Sequence, residues 1–149
     1  MSRHLYFAYG SNLDLRQFRR RCPGHDAVGR ARLPGYRLAF TRYSTKRKGG
    51  VADVVPEEGA VVWGALYDVD EACIAALDEF EGAPRAYRRE TLRVIDDSGE
   101  EREAIVYVAN RTGVFEPSAA YLELIVRGAR EHGLPEEYIR SIESVRKHA

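Results

Sequence analysis

Apolar residues never run on for the roughly 18 positions that a membrane-spanning helix requires, so no bilayer segment is expected anywhere in the 149 residues. Cysteine is scarce: Cys22 and Cys73 are too few for a disulfide framework or a thiolate metal site. The four histidines, His4, His25, His132 and His148, include no pair at the i, i+4 spacing of a helical metal site, which argues against a metal enzyme. Met1-Ser2-Arg3-His4 leads straight into a short strand-like run and not into a long apolar segment, so a secretory signal is not expected and a cytoplasmic protein is the default. Internal repeats and low-complexity stretches are missing too. The length suits one domain over 1–149 with one core and no linker.

The formal net charge is zero, yet residues 1–50 hold twelve Lys or Arg against Asp14 and Asp26, and residues 51–100 hold thirteen acids against four arginines. Such a split suits a nucleic-acid surface, a steering field for small anions, or solvated faces that neutralise each other in one compact fold. The third reading carries no nucleic-acid partner and is preferred, because a single domain brings both segments together.

Hydrophobic period then marks the elements. Strands are expected at the first apolar run from Leu5, over 36–40, 51–55, 61–69, 87–95 and 103–109, with Asp96-Asp97-Ser98-Gly99 as the turn between the last two. Residues 46–50 are polar and glycine-rich and read as a mobile loop, and 56–59 as a turn. Helices are expected from about Leu13 to Arg21, from Glu71 to about Phe80 behind an Asp70 cap, from Ser118 to a stop at Gly133, and over about 135–145. About six strands with several hairpin-length connections argue for an α+β, mixed domain built on a small curved or closed β-barrel with flanking helices.

The most informative stretch is Tyr6-Phe7-Ala8-Tyr9-Gly10-Ser11-Asn12-Leu13, where a strand pattern breaks into Gly-Ser-Asn and then into a helix. A turn of this kind turns backbone N–H groups toward an anion. It also reads, more plainly, as a well-capped connection, with Ser11 and Asp14 forming a near capping box. Ser11 lacks the Gly-x-Ser-x-Gly setting of a hydrolase nucleophile, and no His and Asp partner set accompanies it. A second candidate is the acidic run Asp78-Glu79-Phe80-Glu81-Gly82 at a helix end. There the helix dipole and neighbouring acids disfavour a free carboxylate, so one group is placed to hold a raised pKa suited to proton transfer, unless all three are simply solvated.

Together, Tyr6 to Leu13 and Leu77-Asp78-Glu79-Phe80-Glu81-Gly82 resemble the gamma-glutamylcyclotransferase family. Gly49-Gly50-Val51-Ala52, Val62-Trp63-Gly64 and the stretch from Gly128 to Tyr138 add to the likeness, which runs from about Leu5 to Val145. The resemblance implies a small barrel around a cavity and an enzyme without metal or organic cofactor. Its reaction turns a gamma-glutamyl amino acid into 5-oxoproline and the free amino acid, the substrate's own α-amine attacking its γ-carbonyl.

Carried over residue by residue, the resemblance makes Glu81 the general acid/base. It assigns substrate contacts to Tyr6, Phe7, Ala8, Tyr9, Gly10, Ser11, Asn12 and Leu13, and to Tyr87 and Tyr121. For both of these tyrosines, core packing with a satisfied hydroxyl is the alternative. The family also implies a small-molecule partner, no nucleic acid or membrane, and a homodimer in some members. The segment Ala83-Pro84-Arg85-Ala86 is about one residue shorter than in animal relatives, which leaves the leaving group open between an amino acid, an amine and a larger gamma-glutamyl compound. A non-catalytic module that binds anions or nucleic acid through the basic first third is the reading from another class.

Overall fold

The computed structural model describes residues 3–146. Five strands close into a barrel in the order β1-β3-β2-β4-β5, with β1 at Arg3–Ala8, β2 at His25–Ser44, β3 at Gly49–Asp70, β4 at Tyr87–Asp96 and β5 at Glu101–Ala109. Every pairing is antiparallel except β1 with β5, where Tyr6 stands opposite Ile105 in the parallel sense and closes the barrel. The two closing seams are short: β2 meets β4 at Ala31 and Arg32, and β1 meets β5 at Tyr6.

Five strands stand where six were expected, because β2 and β3 form one long hairpin from His25 to Asp70. The stretches 51–55 and 61–69 are both parts of β3, and residues 57–60 bulge out opposite Gly35. Gly35 (φ 81°) and Gly59 (φ 84°) take backbone angles that disfavour a side chain. The pairing also extends back to His25, across a stretch in which Gly29 and Gly35 break the alternation. Residues 45–48 form the hairpin tip, with Gly49 and Gly50 already in β3.

Helix ends follow local chemistry. In α2, Glu71–Phe80, the Asp70 carboxylate accepts from the Cys73 N–H at 2.8 Å. In α3, Ala119–Glu131, the Ser118 hydroxyl accepts from the Tyr121 N–H, and Gly133 at φ 67° follows the helix. The last helix, α4, covers Glu136–Glu143.

The first helix departs from expectation. Residues Ser11–Leu13 form a single 3-10 turn, and α1 runs over Leu15–Arg21. Its cap is Asp14, whose carboxylate accepts from Gln17 N–H at 3.2 Å, while Ser11 makes no side-chain cap. The carboxylate outcompetes the hydroxyl here because Arg127 also holds it, at 3.0 Å.

Phe18, fully buried, stacks on Tyr67 with ring centroids 4.2 Å apart and ties α1 to the barrel wall. Cys22, at the end of α1, is joined to Cys73 in the first turn of α2, with Cα atoms 4.8 Å apart, a pairing the residue count did not suggest. Phe80, at the end of α2, is 51% exposed and carries the Arg21 guanidinium 4.1 Å from its ring centroid. A Cβ on Gly128 would sit 2.5 Å from Leu13 Cβ, so this glycine lets α3 press directly on the 3-10 turn. No described helix is long and apolar enough to cross a membrane.

Candidate active site

The turn after β1 and the end of α2 meet at one cavity. Its narrow inner part, about 30 Å³, is bounded by Gly10, Ser11, Asn12, Glu81 and a ring of tyrosines. The outer part, about 380 Å³, shares Ser11, Glu81, Tyr87 and Tyr121 with the inner one. Glu81 and the Gly10–Asn12 turn are far apart in sequence, and closure of the barrel places them on the same small space.

At the turn, Leu13 N–H donates to Gly10 O and Asp14 N–H to Ser11 O, both at 3.0 Å. The N–H groups of Gly10, Ser11 and Asn12 have no acceptor among the described residues. This is a small nest of donors. Asn12, 3% exposed, is held from both ends: its Nδ2 donates to the Tyr6 hydroxyl and its Oδ1 accepts from Arg21, both at 2.9 Å.

Five tyrosines line the inner cavity with Ala52 of β3, and the hydroxyls of four of them, Tyr6, Tyr9, Tyr87 and Tyr121, have distinct partners. Tyr87 donates to Ala52 O at 2.5 Å, and Tyr9 donates to the Tyr107 carbonyl at 2.5 Å. Tyr121 works the other way round, its hydroxyl oxygen accepting from Ala52 N–H at 3.0 Å. Tyr6 likewise accepts, from Asn12. A hydroxyl has one proton to give. Those of Tyr9 and Tyr87 are committed to carbonyls, whereas those of Tyr6 and Tyr121 have no acceptor among the described residues and are left for a ligand. Burial pushes all four phenols above their ordinary range, Tyr121 up to about 12, so they stay protonated donors near neutral pH.

The three acids of the α2 end are sorted by position. Asp78 is committed to the Tyr107 hydroxyl at 2.7 Å and to Arg89 at 3.2 Å, and Glu79 is exposed. Glu81, at the helix cap with its N–H on Leu77 O at 2.9 Å, has no fixed hydrogen-bond partner among the described residues and reaches the cavity. Burial pushes its carboxyl up to about 7, against the pull of Arg21 and Arg47. A carboxyl poised there exchanges protons in either direction near neutral pH.

Of the residues singled out from the sequence, Tyr6, Tyr9, Gly10, Ser11, Asn12, Glu81, Tyr87 and Tyr121 border the cavity. Phe7, Ala8 and Leu13 do not border it; they lie in the core, at most 1% exposed. Sequence reasoning missed Tyr107 and Ala52 on the inner wall and Arg21, Arg42 and Arg47 on the outer one. The alternation of Ile105, Tyr107 and Ala109 carried a signal for Tyr107, since it puts one aromatic on a face of otherwise smaller side chains. Arg47 had none, because its role depends on where the tip of a long hairpin lands.

Residues 61–142 match the model of the AIG2-like family. The chain is 32% identical over 146 residues to the gamma-glutamylcyclotransferases of Mus musculus and Homo sapiens, covering 95% of this chain and 78% of each of those. A solved structure described as a gamma-glutamyl cyclotransferase superposes with a TM-score of 0.91 at 30% identity, over 96% of this chain and 88% of that one.

Proposed function

This chain belongs to the AIG2-like, gamma-glutamylcyclotransferase family, and from that premise we propose that it converts a gamma-glutamyl amino acid to 5-oxoproline and the free amino acid. The observation that carries the proposal is the shared cavity of Glu81 and the Gly10–Asn12 turn. The inner space has about the volume of one water. It suits one oxygen-bearing group of the substrate, and the open N–H groups there suit a negative one, the α-carboxylate or the developing oxyanion.

The α-amine, once deprotonated, attacks the γ-carbonyl carbon within the same molecule, so holding the chain curled replaces an encounter by a conformation. The new bond joins the α-nitrogen to Cγ. The bond that breaks joins Cγ to the departing nitrogen. Glu81 takes the proton released by the attacking nitrogen and returns it to the departing one, which leaves as a neutral amine, so the carboxylate is regenerated. No enzyme nucleophile is needed, because the attacking nitrogen belongs to the substrate itself.

Incubation with a panel of gamma-glutamyl dipeptides should release 5-oxoproline in step with the free amino acid, both followed by chromatography. Release of glutamate instead would mean hydrolysis and would overturn the reading. The free phenolic proton of Tyr121 gives a second measurement. A hydrogen bond to a charged group contributes roughly 1.5–3 kcal/mol, so Tyr121→Phe should lower kcat/KM about 10- to 100-fold. An unchanged value would remove Tyr121 from the site.

A further inference from the structure

The outer cavity is bordered by four cations, Arg21 from α1 and Arg42, Lys46 and Arg47 from the end of β2 and the hairpin tip. Among the described residues none of the four forms an ion pair. Three are held by neutral acceptors: Arg21 by Asn12 Oδ1 at 2.9 Å, Arg42 by Asn110 O at 2.9 Å and Arg47 by Gln17 Oε1 at 2.8 Å. Elsewhere Arg3, Arg30, Arg102, Arg111, Arg127 and Arg130 each meet a carboxylate, and the arginines that meet none among the described residues, such as Arg16, Arg19 and Arg20, do not line the cavity. Arg21 and Arg47 also lie over aromatic faces, Phe80 at 4.1 Å and Tyr121 at 5.3 Å, so their heads are positioned and not swinging in solvent. Burial first, and then the neighbouring Arg47, pull the Arg21 pKa down, the mark of a charge with too little compensation.

The charges at this wall do not balance. Four cations face two carboxylates, Glu79 and Glu81, an excess of two positive charges. The gamma-glutamyl head does not correct it, because its ammonium and α-carboxylate cancel. We infer that the leaving group selected here is a dicarboxylic amino acid, so the preferred substrate class is a gamma-glutamyl peptide whose departing amine carries two free carboxylates. This rests on the cyclotransfer reading above and goes beyond it by assigning the outer wall to the leaving group. At about 380 Å³ the cavity has room for the second amino acid. Arginine suits the task, since its planar head meets a carboxylate through two parallel hydrogen bonds. An amine leaving group would offer these cations nothing.

The test compares gamma-glutamyl-glutamate, gamma-glutamyl-glutamine and gamma-glutamyl-butylamine, whose leaving groups differ by one carboxylate at each step. The kcat/KM values should fall in that order, on the order of tenfold between the first two at low salt, the share of one charged hydrogen bond, with the gap narrowing at high ionic strength. In Lys46→Glu and Arg47→Gln the ratio between gamma-glutamyl-glutamate and gamma-glutamyl-glutamine should collapse toward one. Lys46→Glu sits at an exposed tip and guards against misfolding as the explanation.

Binding of the same three compounds to Glu81→Gln, measured by calorimetry, separates the two levels of the argument. Charge-graded binding without any 5-oxoproline from the parent protein would keep the dicarboxylate site and sink the proposed reaction. Equal kcat/KM for the glutamate and glutamine compounds, or equal binding of all three, would overturn the inference.

Discussion

Glu81→Gln should lower kcat roughly 10²- to 10⁴-fold, the usual share of a positioned general acid/base, and yet raise the melting temperature above pH 7. Glutamine matches the carboxyl in shape but neither takes nor returns a proton, so the chemistry stops while the cavity persists. The stability gain follows from the same burial. A glutamate ordinarily titrates near 4.5, and in the folded protein Glu81 is pushed up to about 7. Below about 4.5 it is protonated in both states and the two proteins should match. Between 4.5 and 7 the unfolded chain loses the proton first, so the parent is progressively destabilised, and above 7 the full difference persists.

The variant has no such group, and its advantage should open over 4.5–7 and then level off. For the parent, kcat/KM should rise as pH passes through about 7, because the base form of Glu81 does the work. Melting scans and kinetics at pH 4, 6 and 8 check both limbs. A Glu81→Gln protein that retains more than a tenth of parental kcat would remove the residue from the mechanism.

Asp53→Ala should lower the melting temperature by on the order of 10 °C without touching a ligand contact, taking a loss of about 3–5 kcal/mol for an uncompensated buried charge site and about 2–4 °C per kcal/mol. Asp53 is fully buried in β3. Its two oxygens accept from the Thr41 hydroxyl at 2.8 Å, the N–H groups of Val54 and Ala109 at 2.8 and 2.9 Å, and Arg111 at 2.9 Å. It therefore joins β2, β3 and the end of β5 at the floor beneath Ala52.

Removing the carboxylate leaves two buried N–H groups and a hydroxyl without acceptors, and those losses outweigh any relief from burying one charge fewer. Asp53→Asn should fall between parent and alanine variant, since an amide keeps one acceptor oxygen but cannot serve Arg111 as an anion. Calorimetric melting of the three proteins measures the order. A change below about 2 °C for Asp53→Ala would show the network to be replaceable by water.

Much of the frame was written locally. The Asp70 and Ser118 caps, the Gly133 stop and the turn at 96–99 were all legible, because each depends on residues within a few positions of one another. The motif from Tyr6 to Leu13 and the acidic run ending in Gly82 were legible as a pair. Their meeting across the barrel was an expectation drawn from resemblance, with no physical warrant in either motif alone.

Misreadings share a cause. Gly49 and Gly50 read as the end of a loop over 46–50 because composition sees glycine and charge, not the ladder that pairs Ser44 with Gly49; residues 46–48 do form the turn. Ser11 looked like the better cap because a four-residue pattern cannot show that Arg127, more than a hundred positions away, would hold Asp14 in place.

By itself the sequence determined the element types, most of their ends, and the two motifs that carry the family. Only the tertiary structure decided that one acid of three, Glu81, reaches the inner cavity, that Tyr6 and Tyr121 keep a proton to give, and that a basic hairpin tip walls the outer space. The reason is physical. Spacing along the chain sets local hydrogen bonds, whereas proton affinity and uncompensated charge depend on which distant groups exclude water from a site.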